Sequence, residues 1–313
     1  MLEHFGEKVR GLRLEKGISR EELCGDEAEL SVRQLARIEL GQSIPSLAKV
    51  IFIAKALEVS VGYLTDGANL ELPKRYKELK YLILRTPTYM DDRKLQVRES
   101  QFDEIFENYY DQLPEEEKIA IDIIQAKFEV YQTGDINFGF NILKEFLPQL
   151  KKKTVYNLNE LLLIDLYLII LVVSNFTNDL FDEEFYKEIT ERILEQHQYL
   201  LLEDLFLLNN ILLSCADTSI RLKMFERLKD TLQLSHFIMS TIQDFQRMPM
   251  YCMYEWKLSI FYLKDIKRAE TYFSQSLTFT QMTNDSYLAQ KLQKEWDKDI
   301  HPSKKILRTS MSC

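Results

Sequence analysis

The chain has 313 residues, with 40 basic and 49 acidic side chains and a net charge of −9. That balance excludes a protein whose whole surface binds a polyanion, so any nucleic-acid contact has to be local. Glycine and proline together make up about 5% of the residues, against roughly 12% in average usage, which argues against sandwiches, barrels and propellers and leaves an all-α fold.

Seven of the nine glycines fall within the first 67 residues, so short helices with tight turns give way to long ones. The spacing predicts a first helix in FGEKVRGLRLEKG, with Phe5, Val9, Leu12 and Leu14 apolar and Gly17 as its stop. Ser19 with Glu22 three residues on forms a capping-box signature and starts a second helix at Arg20. After a turn near Gly25, Ser31 opens SVRQLARIELG, in which Leu35 and Ile38 face inward, Arg33, Gln34 and Arg37 face outward, and Gly41 closes the helix. Two further helices follow in SLAKVIFIAKALE and SVGYLTDG. The changeover lies near DGANLELP, giving residues 1–66 as a small helical domain, 67–73 as a linker, 74–300 as a long helical domain and 301–313 as a flexible tail.

The segments ISREEL, LARIELGQSIPSL and IAKALEVSVGYL resemble the five-helix helix-turn-helix domain of phage repressors and many bacterial regulators. A helix about 10 Å across fits the major groove if its exposed face carries donors to base edges. Arg33, Gln34 and Arg37 supply such donors. In this reading Arg33 contacts guanine, Ser31, Gln34 and Arg37 divide base and phosphate contacts, and Arg20 with Ser43 clamps the backbone. The competing reading has the arginines pairing with Glu39 on a solvated helix. One departure from the family is GDEAEL, Gly25 to Leu30, which is longer and more acidic than the usual turn. Residues 1–66 carry nine Lys/Arg and eleven Asp/Glu, too little positive charge for tight sequence-independent binding, so a dimer on two half-sites is expected.

From Pro73 to about Trp296 one helical period follows another. Two segments resemble the second helix of a tetratricopeptide repeat: Gly139, Leu143 and Phe146 after Asp135, and Ala269, Phe273 and Ser276 after Asp265. The alternative is an ordinary helical bundle. A repeat superhelix offers a concave face able to hold an extended peptide.

A repressor-type domain followed by degenerate repeats resembles the peptide-pheromone receptors of Gram-positive bacteria, the Rgg-like and PlcR-like transcription factors. LSVRQLARIE, YLILRTPTY, YDQLPEEEK and EDLFLLNN are more closely similar to the ComR-type competence regulators of streptococci. The resemblance implies a cytosolic activator that binds a short imported hydrophobic peptide ending in two tryptophans. By the same resemblance, peptide binding is expected to free the DNA-binding domain, and the protein, a monomer when free, to become a homodimer on an inverted-repeat promoter. It also implies a peptide contact at Asn209, which with Asn210 sits in an apolar helix, and another at Arg98; bonds to a neighbouring helix or solvent are the competing readings. Ile169, Phe138 and Met248 are apolar at plausible groove positions, and Asp165 is a buried-polar candidate with no assigned partner. PEEE, Pro114 to Glu117, stabilises a helix start through its dipole. The resemblance adds an autoinhibitory contact there, between Glu115 and Arg33.

No G-x-G-x-x-G, phosphate loop, G-x-S-x-G or His/Cys pair occurs, so the chain is read as a non-enzyme, with no cofactor, no metal and no catalytic residue. Cys24, Cys215, Cys252 and Cys313 lack metal-ligand spacing and read as reduced thiols of a cytoplasmic protein. The most apolar run, Leu158 to Val173, carries Glu160 and Asp165, and reads as a buried core helix rather than a membrane span. A ligand-independent phage-type repressor and a repeat-based adaptor are the alternative functions.

Overall fold

The computed structural model describes residues 4–66 and 71–310, with side chains as far as His301. Every regular element among the described residues is helical. The chain forms two compact units, one of the chain up to Ile83 with Gln96–Asp122, the other of Leu84–Leu95 with the chain from Ile123 onward.

The first unit opens with the five expected helices: α1 (Phe5–Glu15), α2 (Arg20–Cys24), α3 (Val32–Glu39), α4 (Leu47–Ala56) and α5 (Val61–Thr65). Serine hydroxyls start four of them, Ser19, Ser31, Ser46 and Ser60 each accepting an amide of the first turn. For α2 the Glu22 carboxylate answers back to the Ser19 amide at 2.7 Å, completing the capping box. Phe5, Val9, Leu23, Leu35, Ile38, Val50, Ile53, Leu57 and Leu64 fill one core. Gly6 sets the distance between α1 and α3, since a Cβ there would stand 2.1 Å from the Ile38 carbonyl oxygen.

Three longer helices follow, α6 (Lys74–Arg85), α7 (Asp92–Asn108) and α8 (Glu115–Thr133). The first unit runs past the Asp66–Pro73 changeover read from the sequence, because Tyr76, Leu79, Phe102 and Ile105 are all buried within it. Gly67, the expected helix stop, lies outside the described residues.

The second unit continues with α9 (Asn137–Leu150), α10 (Leu158–Val173), α11 (Glu183–Glu195), α12 (Leu205–Arg221), α13 (Phe225–Ile242), α14 (Met248–Leu258), α15 (Ile266–Met282) and α16 (Ser286–Ser310). Successive helices pack as antiparallel hairpins would, α12 on α13 and α14 on α15, while α10, α12 and α14 also touch one another in series. That is the two-layer stacking of tetratricopeptide-type repeats. Helix α10 is buried on all sides from Leu161 to Leu168, as a helix apolar all round must be. Gly139 on α9 admits the Leu166 side chain, which would lie 2.7 Å from a Cβ. Ala269 and Ser276 are fully buried on α15, and Phe273 stacks on Trp296 of α16 at 4.6 Å between ring centroids. Lys257 and Trp256 of α14 both bond Asp299 of α16, at 2.7 and 2.9 Å.

The expected tail, 301–313, coincides with the end of α16, whose backbone is described to Ser310; its side chains beyond His301, and residues 311–313 altogether, lie outside the described residues. No helix among the described residues is long and apolar enough to cross a membrane.

Candidate nucleic-acid interface

The α3 helix owes its start to two side chains. Ser31 Oγ accepts the Gln34 amide at 3.2 Å, and Glu27 accepts the Val32 amide at 2.9 Å. Glu27 reaches there from a left-handed backbone, φ 59°, so the long acidic GDEAEL turn places a carboxylate on the positive end of α3. Leu35 and Ile38 are buried beneath the helix, Arg33 is exposed, and Ser31, Gln34 and Arg37 are half-buried. The residues expected to read DNA therefore share one helix face.

Beneath that face lies Glu39, its side chain fully enclosed. Arg13 holds it through two bonds, at 2.6 and 3.0 Å, and Arg20 through a third at 2.8 Å. Burial alone would raise the Glu39 pKa, but the bonds from Arg13 and then Arg20 bring it below the usual carboxylate range. Of the arginines, then, Arg13 and Arg20 pair with Glu39, while those of α3 do not. Arg20, expected at the DNA backbone, has its Nε committed to this carboxylate and its side chain one-third exposed.

The first turn of α8 meets this region of the same unit. Glu115 accepts from the Arg37 guanidinium and, at 2.6 Å, from the Ser43 hydroxyl, while its amide donates to the Ile44 carbonyl at 3.3 Å. The expected acidic residue is thus in contact with the recognition helix, but its arginine is Arg37, not Arg33. Arg33 is exposed and makes no ion pair with a described residue. The two arginines lie four residues apart on one face, and the Ile44 contact sets Glu115 beside the C-terminal end of α3. The next two acids engage other partners, Glu116 with Lys49 at 2.6 Å and Glu117 with Tyr76 at 2.5 Å and Lys80 at 2.6 Å.

The candidate peptide residues divide between the units. Arg98, in the first, is buried, with its Nε bonded to Gln101 at 3.2 Å. Asn209, in the second, is buried and accepts from Ser235 of α13 at 2.6 Å, so the neighbouring-helix bond is present. Asn210 donates to the Leu84 carbonyl at 3.1 Å. Ile169 is half-buried on α10, and Phe138 is half exposed on α9. Met248 lines a cavity of about 810 Å³ together with Tyr251, Glu255, Arg268 and Tyr272. Asp165 has two partners, the Lys127 ammonium and, at 3.0 Å, the Ser214 hydroxyl.

With this geometry in view, two family models match the sequence. One, helix-turn-helix, covers residues 9–64, and the other, ComR tetratricopeptide, covers residues 73–296. The chain belongs to the ComR family. It is 36% identical to ComR from Streptococcus suis, with a TM-score of 0.75 and 95% of each chain covered. It is 27% identical to ComR from S. thermophilus, solved in complex with DNA and its signalling peptide ComS, with a TM-score of 0.68 over 94% of this chain and 99% of that one. A third structure, ComR from Streptococcus vestibularis with its cognate signalling peptide XIP, is 28% identical, with a TM-score of 0.67 over 96% and 99%. Among curated proteins no sequence matches. The ComR family is one of DNA-binding regulators and peptide receptors, not a class of enzymes.

Several residues of this ComR-family chain escaped the sequence reading. Lys49 was assigned no role, and its side chain is 8% exposed and paired with Glu116. Glu27 carried a signal, an acid just ahead of a helix start. Tyr89 gave none, because the Lys291 ammonium that bonds its carbonyl comes from a distant part of the sequence.

Proposed function

We propose that this chain is a peptide-pheromone-sensing activator of transcription. The observation that carries the reading is the contact of Glu115 with both Arg37 and Ser43, two residues of the DNA-reading surface. A guanidinium bound to a carboxylate cannot also engage a phosphate or a guanine edge, and charge-assisted bonds of this kind are among the stronger ones. In the resting protein Arg37 and Ser43 are held by Glu115; in the active protein they are given to DNA.

A short hydrophobic peptide, bound within residues 73–296, is the signal that shifts this balance, in keeping with the ComR relatives bound to ComS and XIP. Arg98, Asn209 and Ile169 are proposed peptide contacts. Ser31, Arg33, Gln34, Arg37 and Ser43 are the proposed DNA contacts, with Arg20 positioned by Glu39. The small positive charge of residues 1–66 makes a single copy a weak binder, so the active form is a homodimer on an inverted repeat in the cytoplasm.

The test is a fluorescence-anisotropy titration of the full chain on promoter DNA bearing an inverted repeat, with and without apolar octapeptides ending in Trp-Trp, paired with mass measurement by light scattering. Peptide should convert monomer to dimer and raise promoter affinity by an order of magnitude or more. Equal affinity and equal mass in both conditions sinks the reading, and tight peptide-free binding points instead to a ligand-independent repressor.

A further inference from the structure

The turn from Gly25 to Leu30 delivers the chain into α3, the helix proposed to read DNA, and it carries three exposed acids, Asp26, Glu27 and Glu29. Beside a polyanion each of them lowers affinity by repulsion. Asp26 has a local use, its carboxylate accepting the Ala28 amide at 3.1 Å. Glu27 is placed differently. Its backbone is left-handed, φ 59°, a conformation that glycine adopts freely and glutamate only at a cost.

That backbone fixes where the carboxylate stands. Its Oε2 accepts the Val32 amide at 2.9 Å, which ties it to the first residue of α3. Its Oε1 takes no bond from a described residue. Arg33, the second residue of α3, is exposed and makes no ion pair with a described residue either. An acid and a base therefore stand at the same end of one helix, each with hydrogen-bonding capacity left over and neither spent on the other. In a helix-turn-helix domain it is this N-terminal end of the recognition helix that meets base edges in the major groove.

The groove offers a carboxylate few partners. Guanine O6 and N7 and thymine O4 are acceptors and repel it; adenine has an amine, but with the N7 acceptor at its side. Cytosine presents the N4 amine with no acceptor beside it, and guanine presents the two acceptors that suit a guanidinium. We infer that Glu27 is a specificity-determining residue of DNA binding, its free carboxylate oxygen accepting from the N4 amine of a cytosine close to the guanine proposed for Arg33. The inference rests on the proposal that α3 reads DNA, and it adds a base contact from outside the helix. Repulsion from every other base edge turns the acid's cost in affinity into discrimination, and the left-handed turn holds the carboxylate in register.

The test is site selection by the full chain, with an apolar octapeptide ending in Trp-Trp present, from a library of duplexes carrying two randomised half-sites in inverted orientation. Anisotropy titrations of the selected duplex and its single-position variants follow. The half-site should contain a cytosine whose replacement by thymine in both halves weakens binding by the unmodified chain about tenfold or more. Glu27→Gly suits φ 59° and removes only the side chain; Glu27→Gln keeps an acceptor for the Val32 amide but puts a donor where the free oxygen was. Both should abolish the cytosine penalty and leave the penalties at other positions as they were. Glu29→Gln, which neutralises an exposed acid of the same turn, should leave the cytosine penalty intact. Variants of Glu27 that bind every sequence more tightly to the same extent overturn the inference, since the acid then acts by repelling phosphates alone. Uniformly weaker binding with a lower melting temperature overturns it too, as the mark of a helix cap. A half-site with no position that responds to Glu27 does the same. Selection of no sequence by the unmodified chain overturns the DNA-reading proposal, and this inference with it.

Discussion

Arg37 and Glu115, 78 positions apart in sequence, are joined side chain to side chain, and the same carboxylate also takes the Ser43 hydroxyl. Arg37 is 42% exposed and Glu115 21%, so the pair is partly shielded from solvent and yet near enough to the surface to be exchanged for another partner. Glu115→Ala is expected to raise promoter affinity in the absence of peptide by about tenfold, in line with losing one or two charge-assisted bonds of about 1.4 kcal/mol in net effect. Anisotropy with labelled promoter DNA reads the change, and unchanged peptide-free binding refutes the contact as a restraint.

Arg33 separates restraint from recognition. It makes no ion pair with a described residue, so Arg33→Ala should leave peptide-free behaviour as it is and weaken peptide-dependent DNA binding by about 1–3 kcal/mol, the range for loss of a bidentate base contact. If the loss is the same for every promoter sequence and its salt dependence falls by about one unit, Arg33 contacts phosphate instead.

Gly6 faces backbone, and backbone cannot rotate out of the way. Gly6→Ala would set a methyl 2.1 Å from the Ile38 carbonyl oxygen, so α1 and α3 must separate, at a cost of about 1–3 kcal/mol typical of overpacking. Gly11, on the same helix with nothing near its Cβ position, is the control; Gly11→Ala should be neutral or slightly stabilising. Thermal melts of the two variants compare them directly.

Glu39 gives a pH dependence whose sign is fixed. Its folded pKa lies below the unfolded value, so its contribution to stability is complete above the ordinary carboxylate range of about 4.3 and is lost as pH falls through the depressed folded value. Glu39→Gln leaves Arg13 and Arg20 without their charge partner and should cost on the order of 3–5 kcal/mol at neutral pH, as for breaking a buried pair. Urea unfolding followed by circular dichroism should show the gap between the unmodified chain and the variant closing only below pH 4.

Burial also governs the thiols. It pushes Cys24 up to about 11 and both Cys215 and Cys252 up to about 12, so all three are protonated at pH 8 and enclosed. Reaction with a disulfide reagent should be slow for these three in the folded protein and fast after denaturation.

The sequence was most readable where a local signal sets the structure. Serine caps and glycine stops placed α1 to α5, and the small residues Gly139 and Ala269 marked where helices of a repeat approach. The partner of Glu115 was less readable. Arg33 and Arg37 are one helical turn apart on one face, and the choice between them is made by the Glu115 amide bonding the Ile44 carbonyl, a contact between segments about 70 positions apart. Asp165 shows the same limit. Its place in an apolar run declared it buried, whereas Lys127 and Ser214 come from other helices and no spacing announces them. Tyr89 and Met90 could not have been foreseen as left-handed, because that conformation is imposed by Tyr287 and Lys291 from nearly 200 positions away.

Glu115, Glu116 and Glu117 each grip a different group: Arg37 with Ser43, Lys49, and Tyr76 with Lys80. Consecutive residues on a helix point about 100° apart, which is how three neighbours reach three separate anchors. Basal promoter leakage should accordingly climb in increments as these acids are removed one by one, more like a dimmer than a toggle.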